Sequence, residues 1–217
     1  PQLQVVGGFF EANAHSTFEL AMGAAVSRLP DEIDAETFLP GSHSIAFRKL
    51  AWLTVGGYPE WLDYGEDLLF VMRLRECYKR FAFAPQAVVH FRPRSSLTAF
   101  FKQYYHYARG DGKADLWRRR HALRYATYFV LVPLIFMGGL VNPAAWALYL
   151  VGGALYLRQP YRRLDVALRK TKANLLTALY AALLLPVVRV TGDVAKMAGY
   201  PAGLLWRRFE VRGARFE

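Results

Sequence analysis

Between Gly56 and Asp67 the chain reads GGYPEWLDYGED, a glycine pair followed by four carboxylates, in a protein whose formal net charge is +11. Glu66 and Asp67 stand where a helix is expected to start, since Asp67, Phe70, Val71, Leu74 and Tyr78 recur with a helical period. Arg73, Arg75, Glu76, Lys79 and Arg80 fall mostly off that stripe. Asp67 therefore belongs to the first turn of the inward face, and Glu66 points about a quarter-turn away. Carboxylates so placed have two uses. They cap free helix N–H groups and match the helix dipole, or they accept a proton from a bound hydroxyl. Spacing alone leaves both open.

Other groups able to do chemistry follow. His90 ends a strand-like run beside Phe91, where a lone histidine either packs or ligates a metal. In a helix starting near Ser95, Gln103, His106 and Tyr107 share one face, while Leu97, Phe100, Phe101, Tyr104 and Ala108 form an inward stripe. The same pattern suits an amphipathic helix lying on a bilayer, with its aromatics at headgroup level. Gly41 and Ser42 follow Pro40 in a turn.

The elements that must carry these residues are mixed α and β. QVVGGFF is strand-like, Glu19 to Leu29 reads as helix, and RLPDEIDAETFLPG is a polar loop. SIAFRKLAWLTV is a strand passing into a short helix that Gly56 and Gly57 stop. A helix is expected from Glu66 to Lys79, then two short strands, FAFAP and QAVVHF. The single cysteine, Cys77, makes no internal disulfide and supplies no zinc site.

Charge divides the chain. Residues 1–101 hold nine Lys or Arg against eleven Asp or Glu, and residues 102–217 hold nineteen against six. From Tyr125 to Leu157 there are 33 residues without a formal charge, broken by Asn142-Pro143-Ala144-Ala145. One bilayer crossing takes about 20 residues, so a hairpin is expected. Its flanks are basic on both sides, Lys113 to Arg124 before and Arg158 to Lys172 after, which places both ends on the cytoplasmic side. A third uncharged run, Ala173 to Val188, precedes more basic residues and reads as a re-entrant or interfacial helix, or as a further span. Because the positive charge hugs apolar runs, it fits an anionic membrane face, and nucleic-acid binding is not expected.

One ordered set of motifs goes further: a Gly-Ser before AFR, a Gly-Gly-aromatic-x-Glu turn, Gly-Glu-Asp opening a helix, then PQAVVHF and the aromatic helix FFKQYYHYARG. Together they resemble the second half of the catalytic domain of family 2 glycosyltransferases, inverting enzymes of the GT-A type, over about Val5 to Gly110. The tail GDVAKMAGYPAGLLWR is similar to that of bacterial membrane-bound members. The resemblance implies an α/β, partial GT-A-type (Rossmann-like) domain at 1–110, lacking its N-terminal nucleotide-binding half, followed by basic-flanked membrane helices at 111–217. It implies a nucleotide-sugar donor, a lipid-linked or glycan acceptor, and a multi-pass place in the inner membrane with the catalytic part facing the cytoplasm.

Carried over residue by residue, Asp67 matches the catalytic base and Glu66 the residue that fixes the loop or touches the acceptor. Gly56 and Gly57 match the glycine turn beside the sugar, Gly41 and Ser42 a segment lining the sugar pocket, and His90 a metal ligand. Gln103, His106 and Tyr107 would lie across the acceptor site. Processive members carry Gln-x-x-Arg-Trp there. This chain has His106 and Tyr107 in the last two places, which argues against polymer synthesis. The family's Asp-x-Asp, which holds Mg2+ or Mn2+ against the diphosphate, does not occur. DEID at Asp31 to Asp34 has the wrong spacing, so most of the metal's ligands are expected in a preceding segment. The alternative is a membrane-anchored interaction or scaffold protein without catalysis.

Overall fold

The computed structural model describes residues 3–210. Its α/β unit is built on strand β1, Val5–Ala12, whose buried Val5, Gly7 and Phe9 alternate with more open positions as a pleated strand requires. β1 is the middle of a three-stranded mixed sheet. It pairs antiparallel with β2, Ile45–Phe47, in the register Val5 to Phe47, and parallel with β3, Ala82–Phe91. FAFAP and QAVVHF are thus one strand and not two. The register jumps from Gly8 opposite Ala84 to Phe9 opposite Val88, which loops out Pro85, Gln86 and Ala87. Pro85 has no N–H to give the ladder, so the run bulges there instead of ending.

The first six helices follow or interleave with these strands. α1, Thr17–Val26, starts earlier than its hydrophobic run implies, because Ser16 Oγ accepts from Glu19 N at 3.2 Å. It also stops before Leu29, which Pro30 holds in extended backbone. α2, Lys49–Thr54, ends at Gly56 and Gly57, both with positive φ, 76° and 69°. α3, Glu66–Tyr78, buries Phe70, Val71 and Leu74 against Val5, Ala51 and Phe81. α4, Leu97–Lys113, is capped by Ser96. α5, Arg118–Ala126, continues through wider π-type turns at Thr127–Leu131 into α6, Val132–Val141.

The expected turn is present. Asn142 Oδ1 accepts from Ala144 N at 3.0 Å, and the Trp146 ring lies against Gly139 and Phe136. The second arm differs from expectation. α7, Ala147–Thr171, does not stop at Leu157 but continues as helix through Arg158, Arg162 and Arg163. Its uncharged part is only about 17 Å long at 1.5 Å per residue, short of the ~30 Å hydrocarbon layer. Among the described residues two helical stretches are long and apolar enough to cross a membrane, residues 118–141 and 175–209.

The second of these is α8, Leu175–Glu210, 36 residues in one helix. Ala181, Leu185, Val188, Gly192, Ala195, Gly199 and Gly203 form one buried strip along it, spaced by three and four. Ala181, Leu185 and Val188 share a core with Leu20 to Ala25 of α1, Phe100 of α4 and Leu164 of α7. Farther along, Gly199 abuts the Tyr105 carbonyl and Gly203 the Arg109 carbonyl, so α8 runs parallel to α4 with backbones nearly touching. The opposite strip, Leu176, Leu179, Leu183, Val187, Val190 and Val194, is exposed and apolar. α8 is therefore a shared wall: one strip belongs to the core and the other faces outward.

Candidate active site

Asp67 is positioned by what precedes it. Gly65, in left-handed backbone at φ 83°, turns the chain into α3, and Asp67 Oδ1 accepts from Leu68 N at 2.8 Å. The loop before it is tied to α4 by Asp63, whose carboxylate takes Arg109 at 2.5 Å and buried Lys113 at 2.6 Å. Burial pushes the Asp63 carboxyl up, but Lys113 and Arg109 outweigh it and hold the group below the usual range. Two of the four carboxylates in this stretch thus separate by role, since Asp63 is an anchor and Asp67 faces a hollow. At Gly110 a Cβ would come within 2.0 Å of the Tyr64 carbonyl, so the glycine admits the loop against α4.

That docking brings the α4 residues to Asp67. His106 stacks on Tyr64 at 4.6 Å, and Gln103 Nε2 donates to the Tyr107 hydroxyl at 2.8 Å. Asp67 and Tyr107 line one hollow of about 340 Å³ with Tyr104, Trp117, Arg120 and Lys196. Burial pushes both the Tyr104 and Tyr107 phenols up, and for Tyr107 the Asp67 charge adds to it, so both stay protonated at neutral pH. Tyr58 is also raised, by burial and then by the charges of Asp67 and Glu66.

Trp117 stands in left-handed backbone at φ 57°, uncommon for so bulky a side chain, and Arg120 lies over its ring at 4.0 Å. Trp117, Arg120 and Leu68 also line a second hollow of about 620 Å³ formed by Gly8, Phe9 and Phe10 of β1 and the loop through Asp34 and Thr37. Asp111, His121 and Arg124 also line the first hollow, and their charges are paired. His121 meets Asp111 at 3.2 Å, and Arg124 meets Asp193 at 2.9 Å, with Tyr156 donating to the same Asp193 carboxylate at 2.6 Å.

The remaining expected residues lie elsewhere. Gly56 and Gly57 form the stop of α2 and set Tyr58, which packs on Phe70 at 4.3 Å; neither glycine lines the Asp67 hollow. Gly41 packs against Phe10, a wall of the larger hollow, while Ser42 is exposed and meets His43 at 3.2 Å. His90 is on β3 beside Glu11, 4.0 Å away, and lines a third hollow of about 540 Å³ on another side of the sheet edge. Among the described residues no three His, Cys, Asp or Glu side chains converge, so His90 and Glu11 give at most two ligands. The residues present do not fit a metal by themselves.

Trp117, Arg120 and Lys196 were not expected at the site. The first two belong to a basic stretch that reads as a membrane flank, and Lys196 to a cluster beyond an apolar run. An aromatic three residues before an arginine was the available signal; the left-handed turn that aims Trp117 was not visible. No protein-family model matches the chain, and no curated protein matches it.

Proposed function

We propose that the chain is the acceptor-side part of an inverting, family 2-like glycosyltransferase of GT-A type, multi-pass in the inner membrane with its catalytic face toward the cytoplasm. It moves a sugar from a nucleotide donor to a hydroxyl of a lipid-linked or cell-envelope acceptor. The motif order supports the family, and one observation carries the chemistry: the Asp67 carboxylate opens on a hollow walled by aromatic rings and cations.

In this reading the acceptor hydroxyl enters the hollow and gives its proton to Asp67. Its oxygen bonds to the anomeric carbon from the face opposite the nucleotide, and the bond from that carbon to the phosphate oxygen breaks. The electron pair leaves on the nucleoside diphosphate, and the anomeric configuration inverts. Tyr107, fixed by Gln103, hydrogen-bonds the acceptor, and the Trp117 ring supports a sugar face. Arg120 and Lys196 offset negative charge as it builds on the leaving group. A divalent Mg2+ or Mn2+, when bound, would neutralise the diphosphate, its ligands lying mostly outside the residues described.

The test incubates membranes containing the protein with labelled nucleotide sugars and analyses extractable product. A product whose anomeric configuration is opposite to the donor's supports the reading. Absence of transfer from every donor, with the protein intact in the membrane, points instead to an anchored interaction protein.

A further inference from the structure

Between α1, α4, α7 and α8 lies a cavity of about 170 Å³ whose lining includes Arg28, Arg163, Arg189 and Lys196 and, among the described residues, no carboxylate. Arg163 is matched by Glu32 at 2.8 Å. The other three have no ion pair among the described residues. Arg189 donates to the Ala25 carbonyl at 3.3 Å and lies over the Tyr156 ring, while its buried Nε has no hydrogen-bond partner. Lys196 lies over the Tyr104 ring at 4.9 Å, and the Asp193 and Asp111 carboxylates act on it only from beyond ion-pair distance. The nearest acids are committed elsewhere, Asp193 to Arg124 and Tyr156, Asp111 to His121. Arg189 and Lys196, both partly buried without an ion pair, are costly to hold near one another, and the exposed Arg28 adds a third positive charge. An anion relieves that cost.

Size and depth say which anion. The cavity is below the ~300–1,000 Å³ of sites that enclose whole drug-sized ligands, so it suits a phosphate group and not a nucleotide. Arg189 is the first charge after the uncharged run Ala173 to Val188, which puts the cavity at headgroup level if that run meets lipid. The exposed apolar strip of α8 passes beside it at Val187 and Val190. Tyr104 and Lys196 line this cavity and the Asp67 hollow alike. We infer that the cavity binds the phosphate of an anionic lipid, and that this lipid presents the acceptor hydroxyl to Asp67. The second part rests on the proposed function; the first does not.

The experiment uses the full chain in nanodiscs of zwitterionic phosphatidylcholine and titrates dodecyl phosphate or inorganic phosphate. Dodecyl phosphate should bind saturably, and much more tightly than inorganic phosphate. Arg28→Gln should weaken it about tenfold, and Arg28→Gln with Arg189→Gln about a hundredfold, as two charge-assisted contacts are lost. Arg28 is exposed and bonds nothing in the described chain, so its single exchange reads binding without loss of fold. Arg119→Gln, an exposed charge that lines none of these hollows, should change little, and so should Asp67→Asn. Equal weakening by Arg119→Gln and the cavity variants, or none by either, overturns the site. Inorganic phosphate binding as tightly as dodecyl phosphate overturns the lipid as its source. Intact lipid binding with transfer unaffected by Asp67→Asn refutes the catalytic reading and the acceptor role, and leaves the phosphate site standing.

Discussion

Gly199→Ala probes the contact on which the site's geometry depends. A Cβ at Gly199 would lie 2.1 Å from the Tyr105 carbonyl oxygen and 2.9 Å from its carbon, both backbone atoms of α4 that cannot swing aside. Ordinary contact needs 3.4 Å or more, so α4 and α8 must part by roughly 1 Å. Gly152→Ala is the control, because nothing stands within 4 Å of its Cβ position in α7. Both exchanges gain about 1 kcal/mol of helix propensity, and the difference between them isolates the clash. Overpacking of this kind costs about 1–3 kcal/mol, which for a chain of this size separates the two melting temperatures by roughly 3–10 °C. The assay is thermal unfolding in one detergent, followed by circular dichroism. Since α4 carries Tyr104 and Tyr107 and α8 carries Lys196, Gly199→Ala should also depress sugar transfer. Coincident melting curves for the two variants would refute the close approach of α4 and α8.

Three other perturbations bear on separate parts of the account. Asp63→Ala leaves Lys113, 6% exposed, without its carboxylate. The half-exposed acid moderates the loss to about 1–2 kcal/mol, read as a lower melting temperature. The same anchor has a pH signature. Asp63 is held below its unfolded range, so its contribution is present above the unfolded pKa and is lost as pH falls through the folded one; acid should narrow the gap between wild type and Asp63→Asn. Tyr107→Phe should lower kcat/KM about tenfold with an unchanged melting temperature, as expected for one hydrogen bond to a reacting group. Leu134→Asp, on the exposed face of α6, should reduce the carbonate-resistant membrane fraction, because an aspartate at mid-span costs about 3 kcal/mol.

The parts of the fold legible in the sequence were those set by local rules. The inward stripe of α3 follows from Phe70, Val71 and Leu74, and the stop of α2 from Gly56 and Gly57. The Asn142 turn follows from an amide before proline. What escaped depends on contacts far apart in sequence. β3 continues past Pro85 because β1 holds both sides of the bulge, and no local pattern shows that. α7 runs on through Arg158 because its charged turns pack against α1 and pair with the loop, as Arg163 does with Glu32. Ala173 to Val188 reads as an isolated apolar run, yet its Ala181, Leu185 and Val188 are buried against α1, Phe100 and Leu164. At the site, Asp67 and Tyr107 were singled out by the family resemblance, while their helix faces alone left their uses open. Trp117, Arg120 and Lys196 were not, since their places come from a left-handed turn and from the α4–α8 contact.

The most direct measurement compares Asp67→Asn with wild type in native membranes, recording transfer rate and donor binding separately. Loss of a general base predicts a fall in rate of about 10²–10⁴-fold with donor affinity nearly unchanged. A variant that keeps its rate, or that loses rate and donor binding in equal measure, would contradict the assignment of Asp67 as the group that takes the acceptor's proton.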